Sequence, residues 1–119
     1  MNEQKAMTTS RIETFEQMLV ADPSNTAVLF GLAKEYEKSG DEPKLIETLE
    51  RYIAESDDEG NAYGMLARAY ERTKQSDKAR DAYERGVKVS TAHGHPGMAE
   101  EYREILESEY RNTEALKPL

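Results

Sequence analysis

Apolar residues recur along this chain at intervals of three and four positions, which is the spacing of one face of an α-helix. Leu29, Leu32, Ala33 and Tyr36 form one such stripe, and comparable stripes occur in five other segments. No segment alternates between apolar and polar residues with a period of two, so no strand is predicted. The pattern predicts an all-α fold of about six helices, joined by short turns and therefore packed as antiparallel neighbours.

Capping and turn residues set the expected ends of these helices. Ser10 and Glu13 form a capping box that would begin the first helix, and Pro23 follows its end. The other five helices are expected at about residues 26–38, 42–55, 61–73, 77–90 and 97–110. Residues 1–9 are polar and aperiodic and are predicted to form a disordered tail, and residues 112–119 a frayed one.

Two octets of the chain nearly repeat each other, LFGLAKEY at residues 29–36 and YGMLARAY at residues 63–70. They lie 34 positions apart. The same register relates the third helix to the fifth without an insertion, pairing Leu45 with Ala79 and Leu49 with Tyr83. Phe15 lies 34 positions before Leu49, so the first helix corresponds to the second half of a repeat. A period of this length indicates stacked units of two helices.

This pattern resembles the tetratricopeptide repeat, whose first helix carries a large residue and then x₂-Leu-small-x₂-Tyr, and whose second carries Ala-x₃-Phe. The better copy here is Tyr63-x₂-Leu66-Ala67-x₂-Tyr70 with Ala79-x₃-Tyr83. Small residues, including Gly86, would let the helices approach closely. The resemblance predicts a solenoid of antiparallel helix pairs that forms a single domain at residues 10–111. This domain would consist of a half repeat at 10–25, repeats at 26–59 and 60–93, and a capping helix at 96–111.

Proteins of this family are generally interaction modules, so the resemblance implies a concave groove that binds a peptide or helix of a partner protein. The first helix of each repeat would line this groove. By helical spacing its face is expected to carry six residues: Phe30, Lys34, Lys38, Met65, Arg68 and Arg72. Phe30 and Met65 would form an apolar floor, or else belong partly to the core.

The four cations of this face recur at equivalent positions, Lys34 with Arg68 and Lys38 with Arg72, each pair 34 residues apart. They favour an acidic segment or a C-terminal carboxylate as the ligand. The alternative is that Glu37 and Glu71, each three residues after a cation, neutralise the face.

The chain is acidic, with 24 acidic residues, 16 basic residues and a net charge of −8. This charge argues against nucleic acid and against an anionic membrane surface as partners. There is no cysteine, which excludes a disulfide framework and a catalytic thiol. No apolar run approaches the roughly 20 residues needed to cross a bilayer, so a cytoplasmic protein is expected.

Candidate catalytic chemistry is sparse. His93 and His95 are the only histidines, and a metal site needs three or four supported ligands, so no metal or cofactor is predicted. There is no nucleophile motif and no phosphate-binding loop, so an enzyme is not predicted. The remaining alternative is a self-association unit that uses the solenoid ends as a homodimer contact. The apolar stripe of the sixth helix would then swap or pair with a second copy instead of packing on the fifth helix.

Overall fold

The structure, a computed structural model, describes residues 3–110 of the chain. It contains six α-helices and one π-helical segment: α1 (Glu3–Ala21), α2 (Thr26–Ser39), α3 (Glu42–Glu55), α4 (Asn61–Arg72), α5 (Ser76–Ala92), α6 (Pro96–Ile105) and the π-helical segment (Leu106–Tyr110). The described part of the chain has no strand, in agreement with the predicted all-α fold. Packing contacts divide the chain into two compact units, Met1–Asp57 and Asp58–Leu119.

The first helix begins earlier than the sequence predicted. α1 starts at Glu3, so Ser10 lies inside the helix and does not cap it. The hydroxyl of Thr14 donates to the carbonyl oxygen of Ser10 at 3.0 Å, one turn earlier. Residues 3–9, part of the predicted disordered tail, are helical in the structure, and the glutamate, glutamine, lysine and alanine among them are strong helix formers. The predicted tail at 112–119 lies outside the described residues.

Side-chain caps and left-handed residues end the helices near the expected positions. The side chain of Asn25 accepts a hydrogen bond from the N–H of Val28, and Asp41 accepts one from the N–H of Lys44, both at 3.2 Å. Gly40 has a φ of 77°, the left-handed conformation that suits a glycine after a helix. α2 and α3 therefore begin at side chains that accept a backbone N–H, and α2 ends at a left-handed glycine.

In the first unit, α2 is the central helix and packs against both α1 and α3. On the α1 side, the ring of Phe15 lies so close to Gly31 that a Cβ there would be 3.2 Å from Cζ. On the α3 side, the Nζ atom of Lys44 lies 5.8 Å from the ring centroid of Tyr36. The buried apolar residues of this unit are Leu19, Val28, Leu29, Leu32, Ala33, Tyr36, Leu45 and Leu49.

In the second unit, α5 is the central helix and packs against both α4 and α6. The Nζ atom of Lys78 on α5 lies 5.8 Å from the ring centroid of Tyr70 on α4. This pair reproduces Lys44 and Tyr36 after a shift of 34 residues. The two helix pairs therefore share a contact in three dimensions as well as a register in sequence.

Tyr102 of α6 fills a notch between Gly64 of α4 and Gly86 of α5. A Cβ atom would lie 2.6 Å from the Tyr102 hydroxyl at Gly64, and 2.9 Å from its ring carbons at Gly86. The Tyr102 hydroxyl donates to the carbonyl oxygen of Gly60 at 2.8 Å. Gly86 thus allows close packing, as the sequence predicted, and the group that approaches it is an aromatic ring of α6.

A carboxylate and two phenols join α4, α5 and the π-helical segment. Glu71 accepts a hydrogen bond from the Tyr83 hydroxyl at 3.2 Å and one from the Tyr110 hydroxyl at 2.7 Å. Burial, and then the charge of Glu71, raise the pKa of Tyr83 to about 12. Burial and the hydrogen bond to Glu71 also raise the pKa of Tyr110. Both phenols are therefore neutral donors at physiological pH.

Replacing Gly86 with alanine should destabilise the second unit, although alanine is the better helix former. The added Cβ would collide with the hydrogen-bonded ring of Tyr102, and we expect a net loss of about 1–2 kcal/mol in the free energy of unfolding. Gly97→Ala is the matched control, because nothing lies within 4 Å of a Cβ there. It should be neutral or stabilising by up to about 1 kcal/mol. Urea unfolding followed by circular dichroism measures both, and equal stabilities would contradict the close contact.

The pair of Glu71 and Tyr83 should be visible in an alkaline titration. A folded-state pKa near 12, against about 10 in the unfolded chain, favours folding below pH 10. That contribution is lost as the pH rises through 12. Glu71→Gln should lower the pKa of Tyr83, measured by NMR at its ring Cζ carbon. Tyr36 is the internal control, because burial and Glu16 raise its pKa. A Tyr83 pKa that does not change in this variant would show that Glu71 does not act on it.

Candidate partner-binding surface

Four of the six residues predicted to line the groove are exposed. Lys34 and Lys38 lie on the surface of α2, and Arg68 and Arg72 lie on the surface of α4. On each helix the two cations are four residues apart and thus share one face. Each helix therefore presents a pair of positive charges to solvent.

The two apolar residues predicted for the floor do not lie on an open surface. Met65 is only 4% exposed and belongs to the core, so the alternative interpretation holds for it. Phe30 is half-buried, and its ring centroid lies 5.0 Å from that of Tyr52 on α3. Phe30 thus faces its partner helix, whereas helical spacing had placed it on the side turned away from that helix.

The cations of α2 have neighbours of their own. The Nζ atom of Lys34 lies 5.7 Å from the ring centroid of Phe30, which leaves the charge exposed above an aromatic face. Lys38 lies 3.9 Å from an oxygen of Glu35, which also pairs with Arg11 at 3.3 Å. Glu35 is shared between two cations, so it offsets the charge of Lys38 only in part.

On α4 the carboxylate expected to neutralise the cations is engaged elsewhere. Both oxygens of Glu71 accept hydrogen bonds from tyrosine hydroxyls. The nearby charge of Arg68 acts to lower the pKa values of Tyr83 and Tyr102, which burial raises. Arg68 thus lies beside the phenols with its side chain exposed. The second repeat therefore exposes Arg68 and Arg72, while the oxygens of Glu71 are shared with two phenols.

The histidine loop serves a structural contact. The Nε2 atom of His95 is hydrogen-bonded to Glu59, and this bond lowers the pKa of the Glu59 carboxyl. His95 thereby links the segment before α4 to the start of α6. Within residues 3–110, no group of three or more histidine, cysteine, aspartate or glutamate residues is placed to hold a metal ion.

The sequence did not predict two clefts, because the shape of a cleft depends on how side chains pack in the folded protein. One, of about 390 Å³, lies over α2 between side chains of α1 and α3. Its lining residues are Glu16, Leu19, Val20, Leu32, Tyr36, Lys44, Glu47, Thr48 and Arg51. The other, of about 510 Å³, follows α6 and the π-helical segment and is lined by Glu100, Arg103, Glu104, Leu106 and Glu107. The first carries charges of both signs and the second is mainly acidic.

None of the helices between residues 3 and 110 is both long enough and apolar enough to cross a membrane.

Comparison with known proteins identifies the repeat. The family model described as Tetratricopeptide repeat matches residues 60–93, the range predicted for the second repeat. The TPR repeat-containing protein PA0015 of Pseudomonas aeruginosa is 30% identical over 83 residues, which are 70% of this chain and 79% of that protein.

Two solved structures share the fold. They are described as crystal structures of MamA and of MamA protein, and each has a TM-score of 0.51 at 21% identity. The first match covers 93% of this chain and 94% of the MamA chain, and the second covers 98% and 90%. This likeness confirms the predicted fold class, an all-α solenoid of antiparallel helix pairs. The family match and the relative in Pseudomonas aeruginosa show that the chain belongs to the tetratricopeptide repeat family.

Proposed function

We propose that this protein binds acidic segments of partner proteins through the exposed cations of its first helices, with one pair on each helix: Lys34 and Lys38 on α2, and Arg68 and Arg72 on α4. The observation that carries the proposal is their recurrence. Both repeats place two exposed cations at the same positions, in a chain whose net charge is −8.

The family supplies the general function. Tetratricopeptide repeats are non-enzymatic scaffolds for interactions between proteins, and this chain is a protein-interaction module of that kind. The family does not specify a ligand, because different members bind different segments on the same scaffold. The choice of an acidic ligand therefore rests on this chain's own side chains.

Electrostatics favours that choice. Surface charge pairs contribute only about 0.2–1 kcal/mol each, so several are needed for a useful affinity. Complementary charge also speeds the encounter and excludes partners of the wrong sign. In α4, Arg68 is exposed, and both oxygens of the nearby Glu71 carboxylate already accept hydrogen bonds from Tyr83 and Tyr110. Arg68 is thus available to a carboxylate of the ligand.

The spacing of the cations fits two kinds of ligand. Residues four apart on a helix have Cβ atoms about 5–6 Å apart, so a second helix with acids one turn apart matches them. An extended segment with acids at every second position has a repeat of about 6.6 Å, which matches nearly as well. The proposal therefore covers an acidic helix and an acidic strand-like peptide.

A peptide array tests the proposal. Immobilised peptides of fixed length vary in glutamate number and in spacing, with lysine-substituted copies alongside. The native chain should bind the glutamate series and not the lysine series. Lys34→Glu with Arg68→Glu should weaken binding about tenfold or more, because two attractions become repulsions. Raised salt should weaken it further.

The matched control changes the net charge equally on the second helices. Lys44→Glu with Lys88→Glu alters one exposed cation of α3 and one of α5. This variant should bind like the native chain, and circular dichroism should show both variants folded. Binding that ignores glutamate number, or that both variants lose equally, would overturn the proposal.

A further inference from the structure

α1 corresponds to the second helix of a repeat, as α3 and α5 do. The face with which α3 and α5 contact their first helices, α2 and α4, is exposed on α1. At the centre of this face the repeat register aligns Thr14 of α1 with Thr48 of α3 and Ala82 of α5. Thr48 is 5% exposed and Ala82 is fully buried. Thr14, in contrast, is exposed. In the described part of the chain, the main packing partner of α1 is α2.

Met18 marks the same open face one turn later, and it is 45% exposed. The register aligns it with Tyr52 and Gly86. The ring of Tyr52 contacts that of Phe30 on its first helix at a tilt of 44°, and a Cβ at Gly86 would lie 3.1 Å from the Cβ of Tyr63. Both equivalents of Met18 therefore contact a first helix, so a first helix is the element whose shape fits α1 here.

The chain also contains a first helix with an open face. α6 follows a second helix and packs on α5, as α2 packs on α1. Within residues 3–110, no further α-helix follows α6 to cover its other side. That side and the π-helical segment carry the cleft of about 510 Å³ around Leu106. α6 thus offers a surface for a second helix, which is the kind of helix that α1 is.

We infer that α6 of one copy of this chain packs against α1 of a second copy and completes a repeat between the two molecules. The contact continues the interface already present twice in each copy, between α2 and α3 and between α4 and α5. Its occupant is therefore defined: a second copy of the chain, whose α1 would lie along the open side of α6 with Met18 towards the start of α6 and Arg11 towards its acidic end.

The charges of the two helices support this pairing. Residues 100–110 contain five glutamates and one arginine, and Arg11 lies in the N-terminal half of α1. Antiparallel packing, the arrangement of consecutive helices in this fold, brings the acidic end of α6 to that half of α1. The side chain of Arg11 is 54% exposed and can meet a glutamate of the second copy while it pairs with Glu35.

This contact joins two different surfaces, so each copy has one of each to offer. A heterologous contact of this kind leaves one unused surface at each end of a dimer. Further copies can therefore add to it, unless the copies close into a ring. It uses neither Lys34 nor Arg68, so it stands or falls independently of the proposed binding of acidic segments. One helix pair is smaller than the about 1,200 Å² typical of stable interfaces, so the association should be weak and reversible.

Sedimentation velocity of the full chain over a range of about 10 to 500 μM measures the association. The native chain should show a mean mass that rises with concentration and falls with added salt. Met18→Glu should weaken the association about tenfold or more. Val20→Glu is the matched control: Val20 is 84% exposed on the same helix, and its equivalents Ala54 and Lys88 are also exposed. It should associate like the native chain.

Mixing two defective variants tests whether the contact is heterologous. Leu106→Glu, or Leu106→Gln if the first loses helical circular dichroism, should also associate weakly by itself. A mixture of Met18→Glu and the Leu106 variant should form a one-to-one dimer, because one copy keeps an intact α6 and the other an intact α1. The charge-reversed Lys34 and Arg68 variant should associate normally.

A native chain that stays monomeric throughout this range would overturn the inference. So would equal losses in the Met18 and Val20 variants, or a mixture that does not form dimers.

Discussion

Each repeat of this protein depends on the contact between its first and second helix. Isolated helices of 12–17 residues, the lengths of α2 to α5, are marginal in water, so this contact must supply their stability. Its centre consists of fully buried residues, including Ala33 and Leu49 in one pair and Ala67 and Ala79 in the other. The pairing fixes which face of each first helix is covered. The exposed positions of the cations on α2 and α4 follow from it.

Much of the fold could be predicted because this contact leaves a periodic trace in sequence. The register that aligns Tyr36 with Tyr70 also places Lys44 and Lys78 in matching positions above those rings. The start of α1 could not be predicted in this way. Ser10 and Glu13 satisfy the local rule for a helix beginning, yet the residues before them favour helix strongly enough to extend it. Local signals compete, and only their sum decides a boundary.

The candidate surface was predictable for charged residues and not for apolar ones. Lysine and arginine remain exposed in almost any packing, since burying their charge is costly. Phe30 and Met65 instead pack where neighbouring helices leave room for them. Helical spacing within one helix does not predict where that room is. The role of Glu71 shows the same limit. In sequence it is a neighbour of Arg68 and Arg72, but Tyr83 and Tyr110, which bind it, are brought close only by α5 and the π-helical segment.

The same helix contact bears on the inferred association of two copies through α1. A second helix inside a repeat buries small or apolar residues against its first helix, as Ala82 and Gly86 do. On the corresponding face of α1, Thr14 and Gln17 are exposed polar residues, and Met18 is the large apolar one. The polar residues keep this face compatible with water, while Met18 retains part of the original contact. Such a face lowers the free energy of association only modestly. In the inferred association, concentration rather than folding would decide whether the first helix of a second copy covers this face.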